Sequence, residues 1–140
     1  MRPAWEAVAV ERPAPLSEVG SDRIRLVLPA EPDYGRIARV AASSLALRLG
    51  LTFVEIEDLR IAVDEAIILL LRPDGPPGDI TLEFTVEPHR LAIDASVDPP
   101  AGEAGIDAGA LRRFAEIVQD TVDEHTVDAV AYRVHLEKRF

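Results

Sequence analysis

Few residues in this chain have types and spacing that could do chemistry. Asp64 and Glu65 are adjacent carboxylates within Glu57–Leu71, a stretch that is otherwise strongly apolar. An ionised carboxylate only accepts hydrogen bonds, so on a packed helix it needs a cation or a donor opposite it. The plain expectation for Glu65 is an ion pair with an arginine such as Arg60 or one from a neighbouring element. Asp98, which precedes Pro99, Pro100 and Gly102, closes an apolar alternation and reads from its neighbours as a turn residue. His89, His125 and His135 are scattered over a turn, a loop and a strand, so no metal-ligand spacing emerges. Ser43-Ser44 lacks a His–Asp partner pattern. The chain has no cysteine, which removes disulfides, thiolate catalysis and Cys-ligated metals.

The elements that must position these groups follow from periodicity. Thr52 with Glu55 three residues on forms a capping box, and Arg72-Pro73 with the following Asp-Gly-Pro-Pro-Gly ends the helix abruptly. Ile56, Leu59, Val63, Ala66, Ile67 and Leu70 make one apolar stripe, and Ile68, Leu69 and Leu71 extend it around the cylinder, so more than one face must be covered. Upstream, Ile24, Leu26 and Leu28 alternate as in a half-buried strand that Pro29 ends. Pro32-Asp33 opens a helix running to Gly50, with Ile37, Val40, Ala41, Leu45 and Leu47 as its apolar side. Arg36, Arg39 and Arg48 make that helix locally basic. The plain reading is a solvated face, and the functional one a docking surface for an acidic partner. Downstream, Ile80–Val86 and Leu91–Val97 alternate on either side of Glu87-Pro88-His89-Arg90, an antiparallel hairpin. A loop over 98–109, a helix from Ala110 to about Thr121, a weaker strand at His125–Val127 and a final strand at Val130–Leu136 complete the order. Runs of helices and antiparallel strands predict an α+β two-layer sandwich with a mostly antiparallel sheet and its helices on one face.

At 140 residues the chain makes one domain, residues 23–140, preceded by an arm over 1–22 in which Pro3, Pro13 and Pro15 favour partial order. Within the arm, Ala7–Val10 suits a short edge strand and Trp5 could dock on the body. A net charge of −10 argues against a nucleic-acid surface, because phosphate contacts need clustered cations. No apolar run approaches the ~20 residues of a membrane span, and the N-terminus lacks a signal-peptide core, so a cytoplasmic location is expected.

The segment Asp58-Leu59-Arg60-Ile61-Ala62-Val63-Asp64-Glu65-Ala66 resembles the N-box helix of the RsbW-type anti-sigma-factor serine kinases, a branch of the GHKL, or histidine-kinase-like, ATPases. The order of elements over residues 23–138 is similar to that fold in its smallest form. The resemblance implies a Glu and, four residues on, an Asn on one helix face: the Glu the presumed base, the Asn a Mg²⁺ ligand. Here the Glu is Glu65 and the Asn position is Leu69. The resemblance also makes Asp98 the acceptor for an adenine amino group in an Asp-x-Gly-x-Gly box, with Pro100 standing where the first glycine belongs and Gly102 at the second. Proline has no N–H to donate and cannot adopt the turn that glycine allows. Before the third helix, Gly105 and Gly109 remain of a phosphate-cradling loop, and Asp98, Glu103 and Asp107 leave its surroundings acidic.

Two functions therefore stand as expectations, beside a third and blander one, a structural pseudo-ATPase that acts only as a dimerisation scaffold. The first is an anti-sigma-factor-like regulator that binds, as a homodimer, a sigma factor or a STAS-type anti-anti-sigma protein, with no cofactor and the kinase lost. The second is an ATP- and Mg²⁺-dependent serine kinase with a divergent pocket, Glu65 as base and Asp98, Gly102 and Gly109 around the nucleotide. Arg36, Arg39 and Arg48 are the candidate partner face in the first.

Overall fold

Thr52 and Glu55 start the central helix as their spacing predicts. The Glu55 N–H donates to Thr52 Oγ1 at 3.2 Å and the Thr52 N–H donates to Glu55 Oε1 at 2.9 Å. The computed structural model describes residues 21–71, 77–99 and 105–140. The arm up to residue 20, with Trp5 and Ala7–Val10, the helix stop at 72–76, and Pro100 and Gly102 lie outside those residues.

In chain order the elements are β1 (Asp22–Pro29), a single 3-10 turn (Pro32–Tyr34), α1 (Gly35–Arg48), α2 (Phe53–Leu70), β2 (Asp79–Glu87), β3 (Arg90–Asp98), α3 (Ala108–Val118), β4 (Glu124–Asp128) and β5 (Arg133–Arg139). The strands form one antiparallel sheet in the order β1-β2-β3-β5-β4. The hairpin lies in the register the alternation requires: Glu87 opposes Arg90, and Ile80, Leu82, Phe84 and Val86 share the helix side with Leu91, Ile93, Ala95 and Val97. Gly50, at φ +84°, closes α1 in a Schellman motif: its N–H donates to the Leu47 carbonyl and the Leu51 N–H to that of Ala46, both at 3.1 Å.

The core lies between the sheet and α2, where Leu59, Ala62, Val63, Ala66, Ile67, Leu69 and Leu70 are buried. A helix face and a strand boundary differ from the sequence expectation. The apolar side assigned to α1 is buried only in part: Ala41 and Leu45 pack against the core, but Ile37, Val40 and Leu47 are 46%, 58% and 70% exposed, and the fully buried residues are Ala38, Ala42 and Ala46, against α2. An alanine seam at four-residue spacing lets two helices approach closely, and that gain in packing outweighs the larger residues' hydrophobicity. The last strand begins at Arg133, not Val130. Val130 is exposed in a turn held by Asp128 Oδ1, which accepts from the Val130 and Ala131 N–H groups, and Tyr132 leaves that turn at φ 54°.

The capping box supports a first test. Thr52→Ala leaves the Glu55 N–H without its acceptor, and the variant is expected to lose about 1 kcal/mol of stability in urea unfolding.

Candidate functional site

The C-terminal half of α2 and the N-terminal half of α3 enclose a cavity of about 180 Å³. Glu65, Ile68, Leu69 and Leu71 of the α2 side line it together with Ile106, Asp107, Ala110, Arg113 and Phe114 of the α3 side, and Tyr132 completes the lining. Glu65 and Leu69 sit together because four residues on a helix is one turn. Glu65 is half-buried and, among the described residues, makes no ion pair or hydrogen bond. The ion pair expected with Arg60 does not form: Arg60 bonds Glu57 at 2.7 Å, on the solvent side of the helix. Its neighbour Asp64 is the paired carboxylate, with Arg39 of α1 at 2.5 Å.

The start of α3 is satisfied from within the chain. Asp107 is its N-cap, and Asp107 Oδ2 accepts from the Gly109 N–H at 2.9 Å and from the Ala110 N–H at 3.2 Å. Gly105 serves packing: at φ +79° it runs so close to the β4–β5 turn that a Cβ there would lie 2.9 Å from the Ala129 carbonyl oxygen. The Ile106 N–H donates to that same oxygen at 3.0 Å, which ties the loop before α3 to the sheet.

Asp98 is not brought to Glu65. It ends β3 in phase with Asp94 and Ser96, on the sheet face away from the helices, where it lines an open groove with Arg25, Arg133 and His135. Arg36 and Arg39 line a different depression, of about 620 Å³, between α1 and α2, together with Val40, Ser43, Leu47 and Arg60. Arg36 and Arg48 have no ion-pair partner among the described residues, whereas Arg39 is committed to Asp64.

Sequence reasoning missed the strongest electrostatic feature, which lies on the sheet's open face. Glu137, with its side chain 10% exposed, accepts from Arg90 at 2.6 Å, from His135 at 3.0 Å and from Arg139 at 3.3 Å. His135 also meets Asp94 at 2.6 Å, and Arg139 meets Glu124 at 2.8 Å. The hydrogen bond from Arg90, then that from His135, hold the Glu137 carboxyl at about 2, well below its usual 4.5. Burial works against the charged form of His135, but Asp94 and Glu137 together overcome it and raise its pKa above 6.5. Two-residue alternation places Arg133, His135, Glu137 and Arg139 on one face, which was the available signal. Their partners come from strand register. Among the described residues no group of three or more His, Asp or Glu side chains is arranged to hold a metal, and no helix is long and apolar enough to cross a membrane.

A five-stranded antiparallel sheet with three helices on one face, and an N-box-like helix facing the loop before α3, is the fold of the histidine-kinase-like ATPases. The fold matches a crystal structure of RsbU and RsbW domains from Mycobacterium tuberculosis with a TM-score of 0.54, at 14% identity, over 84% of this chain and 31% of that one. No family model matches the sequence. The sequence is 33% identical over 118 residues to the serine-protein kinase RsbW of Bacillus pumilus, covering 79% of this chain and 67% of that protein. It is 37% identical over 78 residues to RsbW of Listeria monocytogenes serotype 4a, covering 54% of this chain and 50% of that protein, and 37% identical over 76 residues to RsbW of Bacillus subtilis, covering 52% and 48%. The chain belongs to the RsbW-type anti-sigma-factor and serine kinase family. It spans about two thirds of the first of these relatives and about half of the other two.

Proposed function

We propose that this protein is an anti-sigma-factor-like regulator of transcription, acting in the cytoplasm by binding a sigma factor or a STAS-type antagonist, with the kinase activity lost. The observation that carries this reading is Leu69, which lines the cavity one helical turn from Glu65. Mg²⁺ requires near-octahedral oxygen ligands, and an aliphatic side chain at that place offers none and strips water without compensation. Two further observations support it. The Asp107 carboxylate already takes the Gly109 and Ala110 N–H groups, donors that a phosphate at this helix start would need. The cavity, about 180 Å³, is smaller than the roughly 300–1,000 Å³ of ordinary small-molecule sites. The described residues do not fit a metal-bound triphosphate.

Binding then falls to surfaces. The depression between α1 and α2 joins exposed Val40 and Leu47 to the guanidinium groups of Arg36 and Arg60, with Arg48 at the end of α1. That combination suits an acidic partner helix with an apolar face, which would bury Leu47 as an anchor. In this reading the protein is a homodimer, with the partner bound on its helical side.

The names of the relatives favour a second reading, an ATP-dependent serine kinase in which Glu65 is the base and Asp98 binds adenine. Calorimetric titration with Mg-ATP, with thermal unfolding followed in parallel, separates the two. Neither the wild type nor Leu69→Asn is expected to give heat or a shift at millimolar nucleotide, since the Asn leaves the Asp107 cap in place. Specific binding by the wild type, worth ~2.7 kcal/mol of added stability at a hundredfold excess over Kd, would favour the kinase.

A further inference from the structure

The cavity between α2 and α3 is graded from charge to hydrocarbon. Arg113 is exposed and Glu65 half-buried, whereas Leu69, Phe114 and Tyr132, which line the same space, are buried. Its charged groups therefore stand toward solvent, and its apolar wall lies deeper. Three acidic or basic side chains line it. Asp107 is committed to the start of α3, where one carboxylate oxygen takes the Gly109 and Ala110 N–H groups. Glu65 and Arg113 are not committed. Among the described residues neither makes an ion pair or a hydrogen bond, with the other or with a third group.

A carboxylate held against aliphatic surface gives up hydration with nothing in return, and a cationic group entering the cavity makes good that loss. A guanidinium is shaped to hold a carboxylate through two parallel N–H donors. One ligand with an ammonium and a carboxylate on the same carbon meets both needs, and the wall behind them requires the rest of it to be apolar. Size sets the remaining limit. At about 180 Å³ the cavity is too small for a nucleotide. A cavity of about 150 Å³ lined by Leu, Ile and Phe is enough for benzene, so the space here takes a side chain the size of leucine or phenylalanine.

We infer that this cavity binds a free α-amino acid with an apolar side chain. Glu65 accepts from its ammonium group, Arg113 donates to its carboxylate, and its side chain rests against Leu69, Ile106, Phe114 and Tyr132. The inference rests on the reading above that no nucleotide occupies the cavity. A peptide terminus does not meet the same need, because it presents one of the two charges without the other beside it.

The test is calorimetric titration of the full chain, with thermal unfolding in parallel, using L-leucine and L-phenylalanine as probes. At least one is expected to bind once per chain and to raise the unfolding temperature at millimolar concentration. Its amide, which lacks the carboxylate, and its N-acetyl derivative, which lacks the ammonium, are expected to bind about tenfold more weakly or not at all. Glycine, without a side chain, is expected not to bind. Glu65→Gln and Arg113→Gln are each expected to lower the affinity by about tenfold or more with unchanged circular dichroism. Arg112→Gln, one residue away and outside the cavity, is expected to keep it. Absence of heat and shift with both amino acids overturns the inference. So does binding that survives both substitutions, or that glycine or the blocked derivatives reproduce. Mg-ATP separates this failure from that of the reading beneath it. Nucleotide binding by the wild type overturns the loss of the kinase, whereas failure of the amino acids alone leaves that reading standing.

Discussion

Glu137→Gln is expected to lower the unfolding free energy by about 3 kcal/mol at neutral pH, measured by urea unfolding. The carboxylate joins Arg90 of β3 to His135 and Arg139 of β5, and Arg139 reaches on to Glu124 of β4. An amide in its place loses the charge and leaves Arg90, itself only 30% exposed, with Glu87 as its remaining carboxylate partner. The pH profile is a second readout. Glu137 titrates at about 2 in the fold and near 4.5 unfolded, so its contribution is present above 4.5 and is lost as pH falls from there toward 2. His135 has the opposite sign: its raised pKa gives stability that is complete below 6.5 and lost as pH rises through the folded value. Wild-type stability is therefore expected to peak between about pH 4.5 and 6.5, and Glu137→Gln to flatten the acid limb. An unchanged acid limb would mean that another carboxylate dominates it.

Leu70→Ala is expected to cost about 3 kcal/mol or more, because Leu70 has no exposed surface and its removal leaves a cavity between α2 and the sheet. Two residues away on the same helix, Ile68 is 58% exposed, and Ile68→Ala should change stability by no more than about 0.5 kcal/mol. The pair reports which side of α2 the sheet holds, and so which way Glu65 and Leu69 are aimed. Similar losses at the two positions in denaturant unfolding would contradict the packing described above.

Much of the scaffold was legible because local chemistry and tertiary packing agree there. The Thr52–Glu55 box, Gly50 after α1, and the turn at Glu87–Arg90 each satisfy their own backbone, so neighbouring residues suffice to read them. The N-box-like run around Glu65 carried the family because it is a contiguous motif on one helix. The buried face of α1 was legible only in part. Alanines carry little hydrophobic signal, and the choice of Ala38, Ala42 and Ala46 over Ile37, Val40 and Leu47 was made by the close approach of α2.

The candidate site divides in the same way. The types at its key positions, Glu65 with Leu69 one turn on, Gly109 and the acidic Asp107, belong to the sequence alone, and so does the mismatch between Leu69 and a metal ligand. Only the tertiary structure decided that Glu65 lacks a partner among the described residues while Asp64 takes Arg39, that Asp98 lies across the sheet from Glu65, and that Glu137 anchors the open face. Each of these joins residues far apart in the chain, Arg39 with Asp64 or Arg90 with Glu137, or turns on which sheet face a strand end presents. Helical and strand periodicity say which residues share a face; they do not say what the face meets, because that depends on strand order, register and the separation of packed elements.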